Sequence, residues 1–369
     1  MNNRPRISFA IPTYNRCVYL LDLVESIVNS CREAGVEDYE ICISDNNSPD
    51  DTEKKLLFLA TKNPRIRYKK SQRDLGPQRN IAKAMSMAEG GYIWLLGDDD
   101  GLYEYSVAQV LNQILHFPDV DLFLLNRTLC DANLNYVADD NYLKSCVSRS
   151  VVLADTDDLL SYIEDCKTVD GLGCFISSWV VKKEVADEIY RDCDIFFDKN
   201  LFPHVYALWG YSLRKEAVTL RYIHDRLVKW RGDNSCAVRG LVGRAMHLDQ
   251  GFVKNETPQR VYKAVNSLIR LHFQHPLTIR AMIAGGVKLD EAKYALRHFH
   301  DASWLMARLY AYQIRFNIHC LPYKGYSVPV NCRELIKQLP LGRCFIPFKI
   351  RKIIKSFLIR KLRSNKTSP

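Results

Sequence analysis

Three consecutive carboxylates, Asp98-Asp99-Asp100, follow almost directly on the apolar run Tyr92–Leu96. Adjacent carboxylates repel one another and cost stability unless something neutralises them. A hard divalent cation does so, and Mn²⁺ or Mg²⁺ takes one or two carboxylates together with phosphate oxygens. A solvated acidic turn is the alternative for the triplet taken alone. Two further polar clusters also follow short apolar runs: Pro12-Thr13-Tyr14-Asn15-Arg16 after Ile7–Ile11, and Asp45-Asn46-Asn47-Ser48-Pro49-Asp50-Asp51-Thr52 after Tyr39–Ser44. Arg79 falls in the first turn of a predicted helix, where a cation opposes the helix dipole. That placement suggests an anionic ligand, against the alternative of an arginine turned to water.

The elements that would position these groups alternate between strand and helix. Ile7–Ile11, Tyr39–Ser44, Ile66–Lys70 and Tyr92–Leu96 read as strands, and Val18–Asn29, Thr52–Thr61 and Pro77–Glu89 have helical spacing. Pro77 suits a first helical turn, and Gly90-Gly91 suits a helix end. Strands separated by helices of this length predict crossover units and a mostly parallel sheet. Ligands of such sheets bind beyond the carboxyl ends of the strands, where the three polar clusters would converge. Residues 126–235 read as mixed helices and short strands. Residues 240–330 read as mostly helical, at Arg260–His272, Glu291–Arg297 and Ser303–Phe316.

The whole chain bounds these readings. Its 369 residues, 47% hydrophobic and 25% charged, exclude a disordered, coiled-coil or collagen-like chain. No apolar run approaches the ~20 residues that cross a bilayer. The start, MNNRPRISFAIPTYNR, has no long apolar core, so no signal peptide is expected. The 12 cysteines are scattered without a Cys-x-x-Cys pair, which predicts reduced thiols in a cytoplasmic setting. The net charge is +10, and residues 343–369 hold nine basic residues and no acid, leaving +1 for residues 1–342. A near-neutral body argues against nucleic acid as a partner.

The order IPTYNR, SDNNSPDDT, GPQRN and LLGDDD resembles the family-2 glycosyltransferases of the GT-A fold, over residues 6–120. A weaker likeness runs to about 235. There FISSWVV, FFDKNLFPHVYALWG and VKWRGDNS look like the abequosyltransferase-like branch, which builds bacterial surface polysaccharides such as lipopolysaccharide O-antigen or capsule. The resemblance implies an α/β, Rossmann-like sheet with a C-terminal helical region. The expected division is a transferase domain at 1–235 (nucleotide-sugar half 1–125, acceptor half 126–235), helices at 236–340 and a basic tail at 341–369. It also implies an inverting, metal-dependent transfer of a hexosyl or deoxyhexosyl unit from a nucleotide-sugar donor to a lipid-linked glycan acceptor. Carried over residue by residue, Thr13, Tyr14 and Asn15 would lie near the base, with Asp45 on its edge beside Asn46. Arg79 would lie near the base or diphosphate, Asp98 would face ribose or metal, and Asp100 would ligate the metal. Asp99 substitutes for either, because a run of three leaves the register open. Where relatives carry a Glu-Asp pair with the Asp as base, this chain reads Pro203-His204, so His204 is the candidate base. Asp198, Asp170 and His224 are the reserves. Trp230, Arg231 and Asn234 would close a loop over donor or acceptor, with Trp230 either stacking on a sugar or packing in the core.

In the tail, Ile350, Ile353, Ile354, Phe357, Leu358 and Leu362 share one helical face, and Arg351, Lys352, Lys355 and Arg363 share the other. That is the pattern of a helix lying in a membrane interface, so residues 343–366 would bind an anionic membrane surface from the cytoplasmic side. A helix docked on the body and an RNA-binding tail are the alternatives. Two other functions stay open. One is a scaffold of the same fold that has lost catalysis. The other is a sugar-nucleotide pyrophosphorylase, which would need a Gly-rich phosphate loop that PTYNR does not supply.

Overall fold

The computed structural model describes residues 4–193, 204, 205, 208, 211, 217–232, 263–265, 267 and 268. Asp198, Asn234, the basic tail and most of the predicted helical region 236–340 lie outside them. Within the predicted helix Arg260–His272 the described positions are helical, and Val265 and Leu268 join the hydrophobic core.

The first half builds as the apolar periodicity predicts. Strands β1 (Ile7–Thr13), β2 (Tyr39–Asp45), β3 (Ile66–Lys70) and β4 (Tyr92–Leu95) alternate with helices α1 (Cys17–Glu33), α2 (Thr52–Lys62) and α3 (Pro77–Met87). These strands run parallel in the order β3-β2-β1-β4. The inner strands are buried almost throughout, their polar Ser8, Thr13, Glu40, Ser44 and Asp45 included, because helices cover both faces. β3 alternates exposed and covered residues, as an edge strand does.

Past Asp100 the chain adds β5 (Gly101–Leu102), α4 (Ser106–His116), β6 (Leu122–Cys130), β7 (Tyr136–Asp140), β8 (Arg149–Leu153), α5 (Thr156–Asp165), β9 (Trp179–Lys182), α6 (Lys183–Cys193) and β10 (Val218–Arg231). The sheet continues β4-β9-β6-β10-β5, with β7 on β6 and β8 on β10. β9 runs antiparallel to both β4 and β6. The mostly parallel expectation therefore holds for the first four strands, and the complete sheet is mixed. β10 returns parallel to β6, so its last residue, Arg231, arrives at the rim that holds the Asp triplet.

Gly90-Gly91 does not cap α3, as its composition suggests. The helix ends at Met87, and Ala88 is already extended. Gly90 serves a close approach instead. A Cβ there would stand 2.8 Å from the Ser8 nitrogen and 2.9 Å from the Ile7 carbonyl carbon. Gly90→Ala is expected to cost about 1–3 kcal/mol by overpacking. It should lower the urea midpoint without changing the slope of the transition. Among the described residues no helix is long and apolar enough to cross a membrane.

Candidate active site

The three strand ends are tied together before any ligand arrives. Asn80, on α3, donates from Nδ2 to the carbonyls of Thr13 (3.2 Å) and Ser44 (2.9 Å) and accepts from the Ser44 hydroxyl (2.8 Å). Asn46 donates to Asp74 and accepts from the Leu75 N–H (2.8 Å), so it braces the loop that leads into α3. Asp45 is fully buried and accepts from the Ser48 N–H (2.8 Å) and the Tyr68 hydroxyl (2.6 Å). Asp45 and Asn46 thus lie beneath the surface, and Tyr14, Asn15, Asn47 and Arg79 lie on it. Asn15 holds a left-handed φ of 54°, which asparagine tolerates, and its N–H meets the Ser48 hydroxyl at 2.9 Å.

The Asp triplet sits at the centre of this rim. Asp98 is 5% exposed and Asp100 2%. The Thr13 hydroxyl donates to Asp98 at 2.7 Å. Arg16 reaches Asp98 at 2.8 Å and Asp99 at 3.1 Å. Asp100 accepts from the Ser177 hydroxyl and from the Arg231 N–H at 3.2 Å. Burial pushes the Asp98 carboxyl up to about 6, although Arg16 pulls the other way. Burial, aided by repulsion from Asp99, pushes Asp100 up to about 8. Burial thus holds both carboxyls back from ionising. Gly97 keeps space open beside them, since a Cβ there would lie 3.1 Å from Asp100 Oδ2 and 3.3 Å from Asp99 Oδ1. The donors are all oxygen, which fits a hard divalent cation. The described residues alone do not gather three metal-binding side chains into a preformed cluster. Such an ion would draw further ligands from a phosphate-bearing substrate.

Arg231 closes the site from far along the chain. Its guanidinium donates to the Asp99 carbonyl (2.7 Å), to the Ala132 carbonyl and to Asp22 on α1 (2.9 Å), and it lies 4.8 Å from the Tyr19 ring. Arg16 stands in the quoted motif, but its bridging of two aspartates was not legible there. Neither was Ser177, whose only sequence signal is its place in FISSWVV.

The remaining candidates separate. Asp170 pairs at 2.8 Å with Arg127, which also holds Asp140 at 2.6 Å, and all three are buried. Arg127 lies 4.2 Å from the Phe175 ring and 4.1 Å from the Trp230 ring, in the corner these two rings form. Trp230 therefore packs in the core over a cation rather than presenting a face to a sugar. His224 sits at the mid-strand irregularity of β10, with its N–H on the Ser148 hydroxyl, away from the rim. His204 is 1% exposed and packs edge-on against Trp179, ring centroids 5.3 Å apart. Trp179 lies two residues beyond Ser177, so His204 flanks the segment that touches Asp100.

A Rossmann-like half sheet, an acidic triplet at its rim and a mixed second half together define an α/β fold of the GT-A glycosyltransferase type. The solved structure of Staphylococcus aureus TarS 1–349 shares that fold, with a TM-score of 0.50 at 13% identity over 88% of this chain and 97% of that one. Residues 8–147 match the family model described as glycosyl transferase family 2. The chain is 36% identical to the abequosyltransferase RfbV of Salmonella typhimurium over 231 residues, 62% of this chain and 67% of that protein. It is also 32% identical over 110 residues to the GalNAc(5)-diNAcBac-PP-undecaprenol beta-1,3-glucosyltransferase of Campylobacter jejuni, of which it spans 34%. The chain belongs to the family 2 glycosyltransferases, within their abequosyltransferase-like branch.

Proposed function

We propose that this protein transfers one sugar, a hexosyl or deoxyhexosyl unit, with inversion from a nucleoside-diphosphate donor to a lipid-linked glycan of a surface polysaccharide. The observation that carries the reading is the meeting of three polar strand ends around the buried carboxyls of Asp98 and Asp100, with Asp99 between them, in a family 2 chain. The polyprenyl-diphosphate acceptor named for the Campylobacter relative supports the acceptor class.

In this reading Asp98, Asp99 and Asp100 hold Mn²⁺ or Mg²⁺, which when bound offsets the charge that builds on the departing diphosphate. Thr13 and Arg16 fix the Asp98 carboxylate. Tyr14 and Asn15 offer the exposed surface for the base, and Asp45 and Asn46 shape it from below. Arg79, exposed on the first turn of α3, faces the donor's negative charge. His204 takes the proton from the acceptor hydroxyl as it attacks. Of the reserves, Asp170 is committed to Arg127 and Asp198 lies outside the described residues. The protein works on the cytoplasmic face of the membrane, held peripherally, with residues 343–366 as one attachment.

The test is release of nucleoside diphosphate from a panel of nucleotide sugars, with and without Mn²⁺ and with a lipid-linked acceptor present. Metal-dependent turnover of one donor supports the reading, and donor binding without turnover on any acceptor favours the scaffold. The burial of His204 against Trp179 favours a second reading of that residue alone, as a packing histidine. His204→Gln separates the two. A base predicts a loss of about 10²–10⁴-fold in turnover with donor affinity kept. A packing residue predicts a lower melting temperature and near-normal turnover of the folded fraction.

A further inference from the structure

The near-zero charge of the body conceals a segregated edge. Residues 54–73 contain eight lysines and arginines and no aspartate or glutamate. They build α2 and β3, and β3 is the first strand of the sheet, so this stretch is the molecule's edge. Three of the cations are answered from elsewhere: Arg65 by Glu37, Arg67 by Glu40 and Glu89, and Lys70 by Glu53. Lys54, Lys55, Lys62, Lys69 and Arg73 are exposed and form no ion pair among the described residues. In their midst α2 presents Leu57, 53% exposed, and Phe58, 61% exposed, with Lys62 5.7 Å from the Phe58 ring.

Lys54, Leu57, Phe58, Thr61 and Lys62 stand at positions i, i+3, i+4, i+7 and i+8, so they share one helix face. Crowded like charges repel, and two neighbouring large apolar side chains in water gain nothing from hydration. Both costs vanish against one partner. An anionic bilayer supplies phosphates for the lysines and an acyl boundary for the leucine and phenylalanine. Nucleic acid would answer the lysines but leave Leu57 unexplained. The start of α2 and the end of β3 lie at the same rim as β1 and β2, where Asp98–Asp100 sit. Contact there would hold that rim against the headgroup layer.

We propose that the α2–β3 edge is a docking surface for an anionic lipid bilayer, with Leu57 and Phe58 entering the headgroup layer and Lys54, Lys55 and Lys62 meeting lipid phosphates. The stretch is distinct in sequence from residues 343–366, and the proposal does not depend on the proposed reaction.

The test is sedimentation of the full chain with vesicles of phosphatidylcholine alone or mixed with phosphatidylglycerol. Hydrogen exchange is followed on the same samples. Binding to the anionic vesicles is expected, with slowed exchange of the 54–62 amides. The Lys54→Gln/Lys55→Gln/Lys62→Gln variant should lose about a hundredfold in vesicle affinity. Leu57→Ser/Phe58→Ser should lose about tenfold or more. All five positions are exposed, so both variants should keep the wild-type melting temperature, which is checked first. Wild-type vesicle affinity in both variants, or protection confined to 343–366, would overturn the proposal. So would a lysine variant that loses affinity for a short RNA while keeping its affinity for vesicles.

Discussion

Asp100→Asn is expected to cripple metal-dependent transfer and, in metal-free buffer at pH 8, to make the protein more stable than the wild type. Both effects follow from one buried carboxyl. Its folded value, about 8, lies above the ordinary 3.8, chiefly because burial disfavours the charge. Stability from this group is complete below pH 3.8 and is lost as pH rises toward 8, because the unfolded chain ionises freely while the folded one resists. Asp98, pushed up to about 6, adds a smaller loss in the same direction. An amide at position 100 cannot ionise, and the Ser177 hydroxyl beside it can accept as well as donate. Calorimetry should show the melting temperature of the variant several degrees above wild type at pH 8 and close to it at pH 4. Mn²⁺ should stabilise the wild type at pH 8 and leave the variant unmoved. Turnover should fall by about 10²–10³-fold, the scale of losing one electrostatic element that acts on a developing charge. A variant that keeps Mn²⁺-dependent turnover would remove Asp100 from the site, and one that melts lower at pH 8 would contradict the cost of ionising this buried carboxyl.

The second large effect is structural. Arg127→Met removes the guanidinium that pairs with both Asp140 and Asp170 and leaves two buried carboxylates without that charge. Breaking a buried pair in this way costs about 3–5 kcal/mol, a large share of what a domain possesses. The variant should be found largely in inclusion bodies, or melt more than ten degrees below wild type by about that cost. Arg127→Met/Asp140→Asn/Asp170→Asn removes the charges together and should recover most of the loss. The triple variant also tests Asp170. Near-normal transfer once folded makes Asp170 a structural partner of Arg127, whereas a folded but inactive protein would return it to the reaction.

What could be read from the sequence was local. The strand-end clusters announce the rim because polar runs after buried strands have nowhere else to go, and Thr13, Asn80 and Asp98 do meet there. The resemblance puts Asp45 on the edge of a bound base, yet the side chain is fully buried and accepts from Tyr68, a residue of the next strand. The Arg127 cluster was invisible because its members lie 13 and 43 residues apart and none belongs to a motif. β9 falls in a stretch that reads only as mixed helices and short strands, and its antiparallel direction is decided by where the chain re-enters the sheet. Whole-chain charge arithmetic hid the basic edge at 54–73, because a sum keeps no positions.

The clasp of Arg231 bears on how this protein comes into being. Asp100 waits for a backbone group 131 residues downstream, and Asp22 for a guanidinium 209 residues away. Closing loops of that size is slow and comes late. A nascent chain that has displayed every one of its recognisable motifs still lacks a finished pocket until β10 has emerged and inserted. A fragment ending near residue 125 would therefore be a poor binder of nucleotide sugars. Chimeras exchanged between relatives should carry Asp22 and Arg231 across as a matched pair.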